Sequence, residues 1–203
     1  MITTRQELKL YVKMDRARQP IAHPFMSAIT YSESWSVRQY LSVLRHYEYY
    51  LNRTKCLITN LRRGDWRGLM LLPFFCLMGA LFYIRWRRKS LKTGMQIYPN
   101  TCGPGLAVTH QAYVHIDNLT TIGKNCSVLP MVLFGKSKQG RIEVGDNVTF
   151  GCGVTVLAPC KIGNNVFIGA GAVVNKDIPD NCIVAGVPAK IIKKIDKIEG
   201  GES

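Results

Sequence analysis

The chain has 203 residues and the composition of a soluble globular protein, with 47% hydrophobic and 20% charged residues, so it can bury a core. Its 7 cysteines are odd in number and include no Cys-x-x-Cys pair, which excludes an evident zinc motif or disulfide framework and favours a reducing compartment. The formal net charge of +14 belongs mainly to residues 1–93, which hold 17 Lys and Arg against 5 Asp and Glu. That excess predicts an acidic partner, whether nucleic acid, anionic lipid or a phosphorylated substrate.

Residues 1–93 are predicted to form a basic α-helical region. The apolar spacing across Val37–Leu44 indicates an amphipathic helix, with Ser34 and Ser36 as candidate N-caps. His23-Pro24 is expected to lie in a loop. The start of the chain is charged and has no apolar run, so we expect no signal peptide and a cytoplasmic protein.

Gly68–Ile84 is an uncharged and mostly apolar segment with basic residues on both sides. As a helix it would be about 25 Å long, shorter than a hydrocarbon core of about 30 Å. Pro73 is also expected to interrupt it. A buried or interfacial helix is therefore favoured over a membrane span. Because Trp66 and Trp86 stand at its ends, residues 62–89 suit peripheral contact with the inner face of an anionic membrane.

Residues 94–192 are predicted to form a second domain, because apolar residues return there at every sixth position. A period of six fits neither a helix nor a single strand, so the chain must turn a corner once per six residues, as in a triangular solenoid. The first series is Val144, Phe150, Val156, Ile162, Ile168 and Val174, and the second is Val148, Val154, Cys160, Val166, Ala172 and Ile178. Gly145, Gly151, Gly163 and Gly169 follow members of the first series, where a corner needs backbone freedom. Pro179 is expected to close the last repeat, and residues 193–203 to form a short tail whose end is disordered.

The period breaks between Phe134 and Val144, where the interval is ten residues. Four extra residues therefore leave the solenoid within Gly135–Gly140. Insertions in solenoids usually form loops on one face. A functional loop is favoured here, and a neutral surface insertion is the alternative.

His110 is the most suggestive of the 4 histidines because a glycine-containing lead, Gly103–Thr109, brings the chain to it. A neutral imidazole is the natural general base for a hydroxyl nucleophile near neutral pH. A structural role remains open on sequence grounds. His23 and His46 are expected to be structural or surface residues, and His115 to point outward.

Several stretches resemble hexapeptide-repeat acyltransferases, in particular serine acetyltransferases and their polysaccharide-modifying relatives. They are Gly103–His110, Ile122–Asn125, Val144–Val148, Ile168–Val174, Lys176–Pro179 and Gly186–Lys190. The resemblance covers residues 94–192 and implies a mainly β protein, a left-handed parallel β-helix preceded by an α-helical arm. It also implies transfer of an acetyl group from acetyl-CoA to a hydroxyl by a homotrimer. No metal is expected.

The resemblance also implies roles for individual residues. His110 would be the general base, and the backbone amides of Gly135 and Lys136 would stabilise the oxyanion. The residues implied for coenzyme A are Gly151, Cys152, Gly169, Ala170 and Lys190. Corner geometry alone is the alternative explanation for those glycines.

The acceptor positions depart from those of serine acetyltransferases. Gln96 and Thr109 replace acidic residues, Lys138 and Gln139 replace an Arg-His pair, and a backbone carbonyl is the expected substitute for the aspartate that orients the histidine. This more neutral set predicts a sugar hydroxyl in a surface polysaccharide pathway as acceptor, with free serine as the alternative. A non-catalytic solenoid that binds membrane or nucleic acid is the rival of another class. Nucleic acid is disfavoured because the arm lacks a recognisable binding module.

Overall fold

The structure is a computed structural model that describes residues 1–21, 23–136 and 140–195. The predicted acceptor residues Lys138 and Gln139 and most of the expected tail lie outside these ranges. The described chain begins with the helices α1 (Arg5–Ala17), α2 (Pro24–Ile29), α3 (Glu33–Arg62) and α4 (Leu72–Thr93), with a 3-10 turn at Trp66–Leu71 before α4. The predicted helical arm is therefore confirmed.

A run of short strands follows α4. They are β1 (Met95–Ile97), β2 (Ala107–Val108), β3 (Val114–Ile116), β4 (Thr120–Ile122), β5 (Ser127–Val128), β6 (Leu133–Lys136), β7 (Ile142–Val144), β8 (Thr149–Phe150), β9 (Thr155–Ala158), β10 (Cys160–Ile162), β11 (Val166–Ile168), β12 (Val173–Val174), β13 (Cys182–Ala185) and β14 (Lys190–Lys194). They form three sheets, with the orders β1-β3-β6-β9-β12, β4-β7-β10 and β2-β5-β8-β11-β13-β14. All pairings up to β13 are parallel, and neighbours within a sheet are one coil apart. This is the β-helix that the six-residue period predicts.

The two apolar series fill the interior of the β-helix. Every member of both series is buried, and the upstream residues Ile116, Ile122, Val128 and Phe134 are buried as well. The rings of Phe134 and Phe150 meet edge to face with their centroids 5.0 Å apart. Burial of these side chains supplies most of the driving force for stacking the coils.

The corner glycines are needed for a different reason from the one predicted. Gly151 does not adopt a left-handed backbone conformation; instead, a Cβ built on it would lie 2.6 Å from the amide nitrogen of Ala170 on the next coil. The left-handed positions at other corners are held by Asn147, Asn165 and Asn181. The Nδ2 of Asn147 donates to Asn165 Oδ1 at 3.0 Å, and that of Asn165 to Asn181 Oδ1 at 2.8 Å. The sequence analysis missed this asparagine ladder.

The C-terminal end of the solenoid extends further than predicted. Pro179 does not close it, because β13 adds another parallel strand beside β11. Strand β14 then runs antiparallel to β13. It includes Lys193 and Lys194, which were assigned to the tail. The reversal covers the edge of the last coil.

Three expectations for the helices were wrong in detail. The N-cap of α3 is Ser32, and Pro24 begins α2, with His23 at the N-cap position just before it. Pro73 lies in the first turn of α4, where a missing amide proton costs no helical hydrogen bond, so it does not interrupt the helix. Helix α4 is also largely exposed; its buried residues are Phe75, Trp86, Ser90 and Thr93.

A buried charge cluster joins the helices to the first coil. Arg45 of α3 is fully buried, and its Nε donates to Asp15 Oδ2 of α1 at 2.8 Å. Its Nη1 donates to Glu48 Oε2 at 3.0 Å and to the carbonyl oxygen of Cys102 at 2.9 Å. Its Nη2 donates to the carbonyl oxygen of Gly103 at 2.8 Å.

The two carboxylates of the cluster extend it along the same loop. Asp15 Oδ1 accepts hydrogen bonds from the amides of Gly105 at 2.8 Å and Leu106 at 2.9 Å. Glu48 Oε1 accepts one from the amide of Asn100 at 2.8 Å. A loop with little regular structure is thus held by side chains of α1 and α3.

Replacing Arg45 should be strongly destabilising. Arg45→Met leaves two buried carboxylates without their cation, so we expect a loss of about 3–5 kcal/mol in the free energy of unfolding, measured by urea denaturation. Arg62→Met removes an exposed arginine from the same helix and should change that free energy by less than about 0.5 kcal/mol. Equal effects of the two substitutions would contradict the structural role of the cluster.

Candidate active site

One corner of the β-helix brings most of the predicted site residues into line. This corner, named here the His110 edge, lies between the sheet that contains β2, β5, β8, β11 and β13 and the sheet that contains β3, β6, β9 and β12. The strand registers pair Val108 with Val128, Val128 with Phe150, and Phe150 with Ile168. His110 follows Val108 by two residues, and Cys152 and Ala170 follow their own strands in the same way.

The backbone hydrogen bonds continue this register around the corner. The amide of Gly151 donates to the carbonyl of Ile168 at 2.8 Å, and the amide of Gly169 donates to that of Val184, also at 2.8 Å. Since coils are spaced by about 4.8 Å, Cys152 lies roughly 10 Å from His110 along the edge, with one coil between them. Cys152 and Ala170 are exposed and small, whereas Pro130 holds the equivalent position on the coil between Cys152 and His110.

Lys190 lies at the far end of the same edge. It is exposed and begins β14, where it pairs with Ala185. Ala185 follows Val184 and therefore continues the line of Gly151 and Gly169. The edge thus has an imidazole at one end and an ammonium group at the other.

The side chain of His110 contacts a carboxylate from the helical arm. Its Nδ1 lies 3.3 Å from Glu33 Oε2, in the first turn of α3. The second carboxylate oxygen accepts a hydrogen bond from the amide of Gln111. A carboxylate accepts and does not donate, so Nδ1 carries the proton and Nε2 keeps the lone pair that a general base needs.

Glu33 corrects the expectation that a backbone carbonyl orients His110. Glu33 is the first residue of α3, and Arg45 fixes that helix to the first coil. Side chains of His110 and Glu33 are 59% and 47% exposed, so Nε2 is open to a substrate. The sequence analysis missed Glu33, because an acidic residue in a first helical turn is common and nothing local links it to a residue 77 positions away.

A polar pocket of about 320 Å³ lies beside the histidine. Its lining residues are Arg18, Gln19, Pro20, Ser34, Ala107, Val108, Thr109 and Ser127. Arg18 Nη2 donates to Ser127 Oγ at 2.7 Å. Gln19 Nε2 donates to the carbonyl of Val108 at 2.7 Å, while its Oε1 is buried without a hydrogen-bond partner among the described residues. The pocket wall therefore includes a cation, Arg18.

Other predicted residues lie elsewhere. Thr109 lines the pocket, but Gln96 contacts a different histidine, with its Oε1 3.3 Å from Nδ1 of His115. Gly135 and Lys136 end strand β6, at the next corner of the prism, so one chain does not bring them to His110. Among the described residues, no group of three or more His, Cys, Asp and Glu side chains could hold a metal ion.

The cysteines differ in exposure and chemistry. Burial raises the pKa of Cys126 and of Cys160 to about 11, so both remain protonated thiols at neutral pH. Cys152, on the His110 edge, is exposed, as are Cys56 and Cys76 of the helical arm.

Comparisons with known sequences show which proteins this chain resembles. The bacterial transferase hexapeptide family (six repeats) matches residues 141–176. A serine acetyltransferase from Synechococcus elongatus is 36% identical over 107 residues, which are 50% of this chain and 44% of that protein. One from Mycobacterium tuberculosis is 34% identical over 114 residues, 54% of this chain and 50% of the relative. The chain spans about half the length of these relatives.

Solved structures give the same result for the fold. Neisseria gonorrhoeae serine acetyltransferase superposes with a TM-score of 0.60 and 26% identity, over 95% of this chain and 66% of that one. Serine acetyltransferase from Brucella abortus in complex with coenzyme A gives a TM-score of 0.61 at 21% identity, over 94% and 68% of the two chains. At 21% identity the second likeness concerns the fold alone.

The repeat, the β-helix and the sequence relatives point to one group of proteins. The helical arm precedes the β-helix in the order that the resemblance to serine acetyltransferases implies. Residues 141–176 of this chain therefore match the hexapeptide family of bacterial transferases, and about half of the chain resembles serine acetyltransferases.

Proposed function

We propose that this chain is an acetyl-CoA-dependent O-acetyltransferase in which His110 is the general base. The observation that carries the proposal is the contact between His110 and Glu33 at the head of an edge of small residues. That contact fixes the tautomer of the imidazole and leaves Nε2 exposed. A purely structural histidine needs neither feature.

The reaction follows from this arrangement. His110 Nε2 removes the proton of the acceptor hydroxyl as its oxygen attacks the thioester carbonyl of acetyl-CoA. The tetrahedral intermediate collapses with cleavage of the carbon–sulfur bond, and the imidazolium returns its proton to the departing thiolate. The products are an acetyl ester and coenzyme A, and the carboxylate of Glu33 stabilises the transient positive charge on the ring.

The His110 edge suits acetyl-CoA. Exposed small residues at Cys152 and Ala170 let an extended chain lie close to the backbone, and Lys190 offers a positive charge for phosphate groups at the distal end. The Brucella abortus relative binds coenzyme A.

Gly135 and Lys136 can act as oxyanion donors if a neighbouring subunit brings them to His110. We propose a homotrimer in which one chain presents its His110 edge to the next chain's β6 corner. Sites shared between subunits are then built three times by symmetry. Sedimentation equilibrium should give three times the chain mass of 22.8 kDa, and a monomer with full activity would contradict the shared site.

We propose serine as the first acceptor and a sugar hydroxyl as the second, which reverses the order expected from the sequence. The relatives are named serine acetyltransferases, and the Neisseria gonorrhoeae enzyme has a structure in complex with serine. Arg18 in the pocket beside His110 supplies a cation for a carboxylate. The neutral side chain of Thr109, which lines this pocket, is the observation in favour of a sugar.

Release of free thiol from acetyl-CoA tests the function directly. We expect turnover by the full chain with serine, with UDP-sugars and oligosaccharides as the other acceptors in the panel and the product identified by mass spectrometry. His110→Ala should lower turnover by about 10² to 10⁴ because the general base is lost. His23→Ala, which alters a histidine in the helical arm, should have no such effect.

Two results would contradict this account. Unchanged turnover in His110→Ala would remove the general base. No thiol release with any acceptor would favour the non-catalytic solenoid that binds membrane or nucleic acid.

Protection of Cys152 tests the position of acetyl-CoA. We expect acetyl-CoA, which has no free thiol, to slow alkylation of Cys152 at least about tenfold when it is near saturation, because the bound molecule covers the edge. Cys56 and Cys76 are exposed controls in the same chain and should react at unchanged rates. Peptide mass spectrometry separates the three sites. Equal protection of all three, or of none, would place the cosubstrate elsewhere.

A further inference from the structure

Helix α4 is anchored to the rest of the chain near its C-terminal end. Trp86 Nε1 donates to Tyr40 Oη at 3.2 Å, and Ser90 Oγ donates to the carbonyl of Met95 at 2.6 Å. The turn before α4 and the helix itself as far as Ile84 carry large exposed apolar side chains. They are Trp66, Leu69, Met70, Leu71, Phe74, Leu77, Leu81, Tyr83 and Ile84.

This exposed surface is broad. Neighbouring positions such as Cys76-Leu77, Ala80-Leu81 and Tyr83-Ile84 are all exposed, so the apolar surface covers about half of the helix circumference. Over Trp66–Thr93, the most apolar window has a mean hydropathy of 1.8 with 6% of its residues buried. Such a surface is wider than the narrow seam that pairs two helices.

The charges around this surface are almost all positive. Residues 62–92 contain eight Lys and Arg and a single acidic residue, Asp65. Arg85, Arg87 and Arg88 are exposed on the same helix. A second copy of the chain would bring these like charges together, whereas an anionic surface would neutralise them.

A basic groove lies between α1 and α3, and an aromatic contact connects one of its lining residues to α4. It has a volume of about 540 Å³ and is lined by Arg5, Leu8, Lys9, Val12, Lys13, Arg16, His46, Tyr49 and Tyr50. Tyr50 stacks on Phe82 of α4 with ring centroids 5.2 Å apart. An acidic headgroup in the groove would therefore lie close to the apolar surface of α4.

The position of Arg53 argues against a full membrane span. This arginine of α3 lies over the ring of Phe75, 5.4 Å from its centroid, and its Nε is buried without a hydrogen-bond partner among the described residues. If α4 crossed the hydrocarbon core, the guanidinium would enter it too, at a high cost in free energy. A location in the headgroup region keeps that charge near water and phosphate.

We propose that α4 lies in the interface of an anionic membrane, with its apolar surface in the acyl region and the basic groove of α1 on acidic headgroups. The inference is independent of the proposed reaction, since none of these residues lies on the His110 edge. It places a soluble active site at the surface of the bilayer. Acceptors produced by membrane-bound or surface-associated enzymes would then be within reach.

Vesicle flotation of the full chain tests this proposal. We expect binding to vesicles of phosphatidylglycerol and phosphatidylcholine, and at least about tenfold weaker binding to phosphatidylcholine alone or at high salt. Leu77→Glu/Leu81→Glu should weaken binding to the anionic vesicles at least about tenfold, since two apolar side chains that would enter the acyl region are lost. Lys9→Glu/Lys13→Glu should also weaken binding to the anionic vesicles, because it replaces two positive charges of the basic groove by negative ones.

Ile191→Glu/Ile192→Glu is the matched control, because it makes the same change in two exposed apolar residues of β14. The control should bind as the wild type does. Thiol release in solution should be unchanged in Leu77→Glu/Leu81→Glu, so membrane binding and catalysis are read separately. Absence of wild-type flotation overturns the proposal. If Leu77→Glu/Leu81→Glu lowers the mass of the assembly in solution, the apolar surface of α4 is an interface between copies of the chain, which also overturns the proposal.

Discussion

The buried contact between Arg45, Asp15 and Glu48 determines how the two halves of this chain meet. A guanidinium without water needs several acceptors, and here it finds two carboxylates and two backbone carbonyls of the first coil. Two backbone amides of that coil, those of Gly105 and Leu106, donate hydrogen bonds to Asp15. An ordinary apolar contact would tolerate sliding between the helices and the β-helix. This network fixes one orientation.

The candidate site depends on that orientation. His110 belongs to the β-helix and Glu33 to α3, so neither half contains the pair alone. The pocket beside them is likewise built from both halves, with Arg18 from the end of α1 and Thr109 from the first coil. The helical arm is therefore part of the site as well as a candidate membrane-binding element.

Structure that follows from a local repeat could be predicted from the sequence, whereas contacts between residues far apart in the chain could not. A six-residue period determines the β-helix because each corner repeats the same local geometry, and the position of His110 follows from local motifs. Glu33 could not be found in this way, since tertiary packing alone brings it to His110. The asparagines at the corners were visible as letters, but their left-handed backbone became evident only in the coils. The apolar pattern of α4 left a buried and an interfacial helix open, because composition alone does not show which neighbours cover a helix.

The central claim is that Glu33 of the helical arm and His110 of the β-helix act as one unit, and a double-mutant cycle measured by thiol release tests it most directly. Glu33→Ala should lower kcat about 10- to 100-fold with little change in KM for acetyl-CoA, and Glu33→Asp should retain part of the rate. In the His110→Ala background, Glu33→Ala should have almost no further effect, while Glu143→Ala, an exposed carboxylate of β7, should have none in either background. An equal loss on removing Glu33 in both backgrounds would contradict the account.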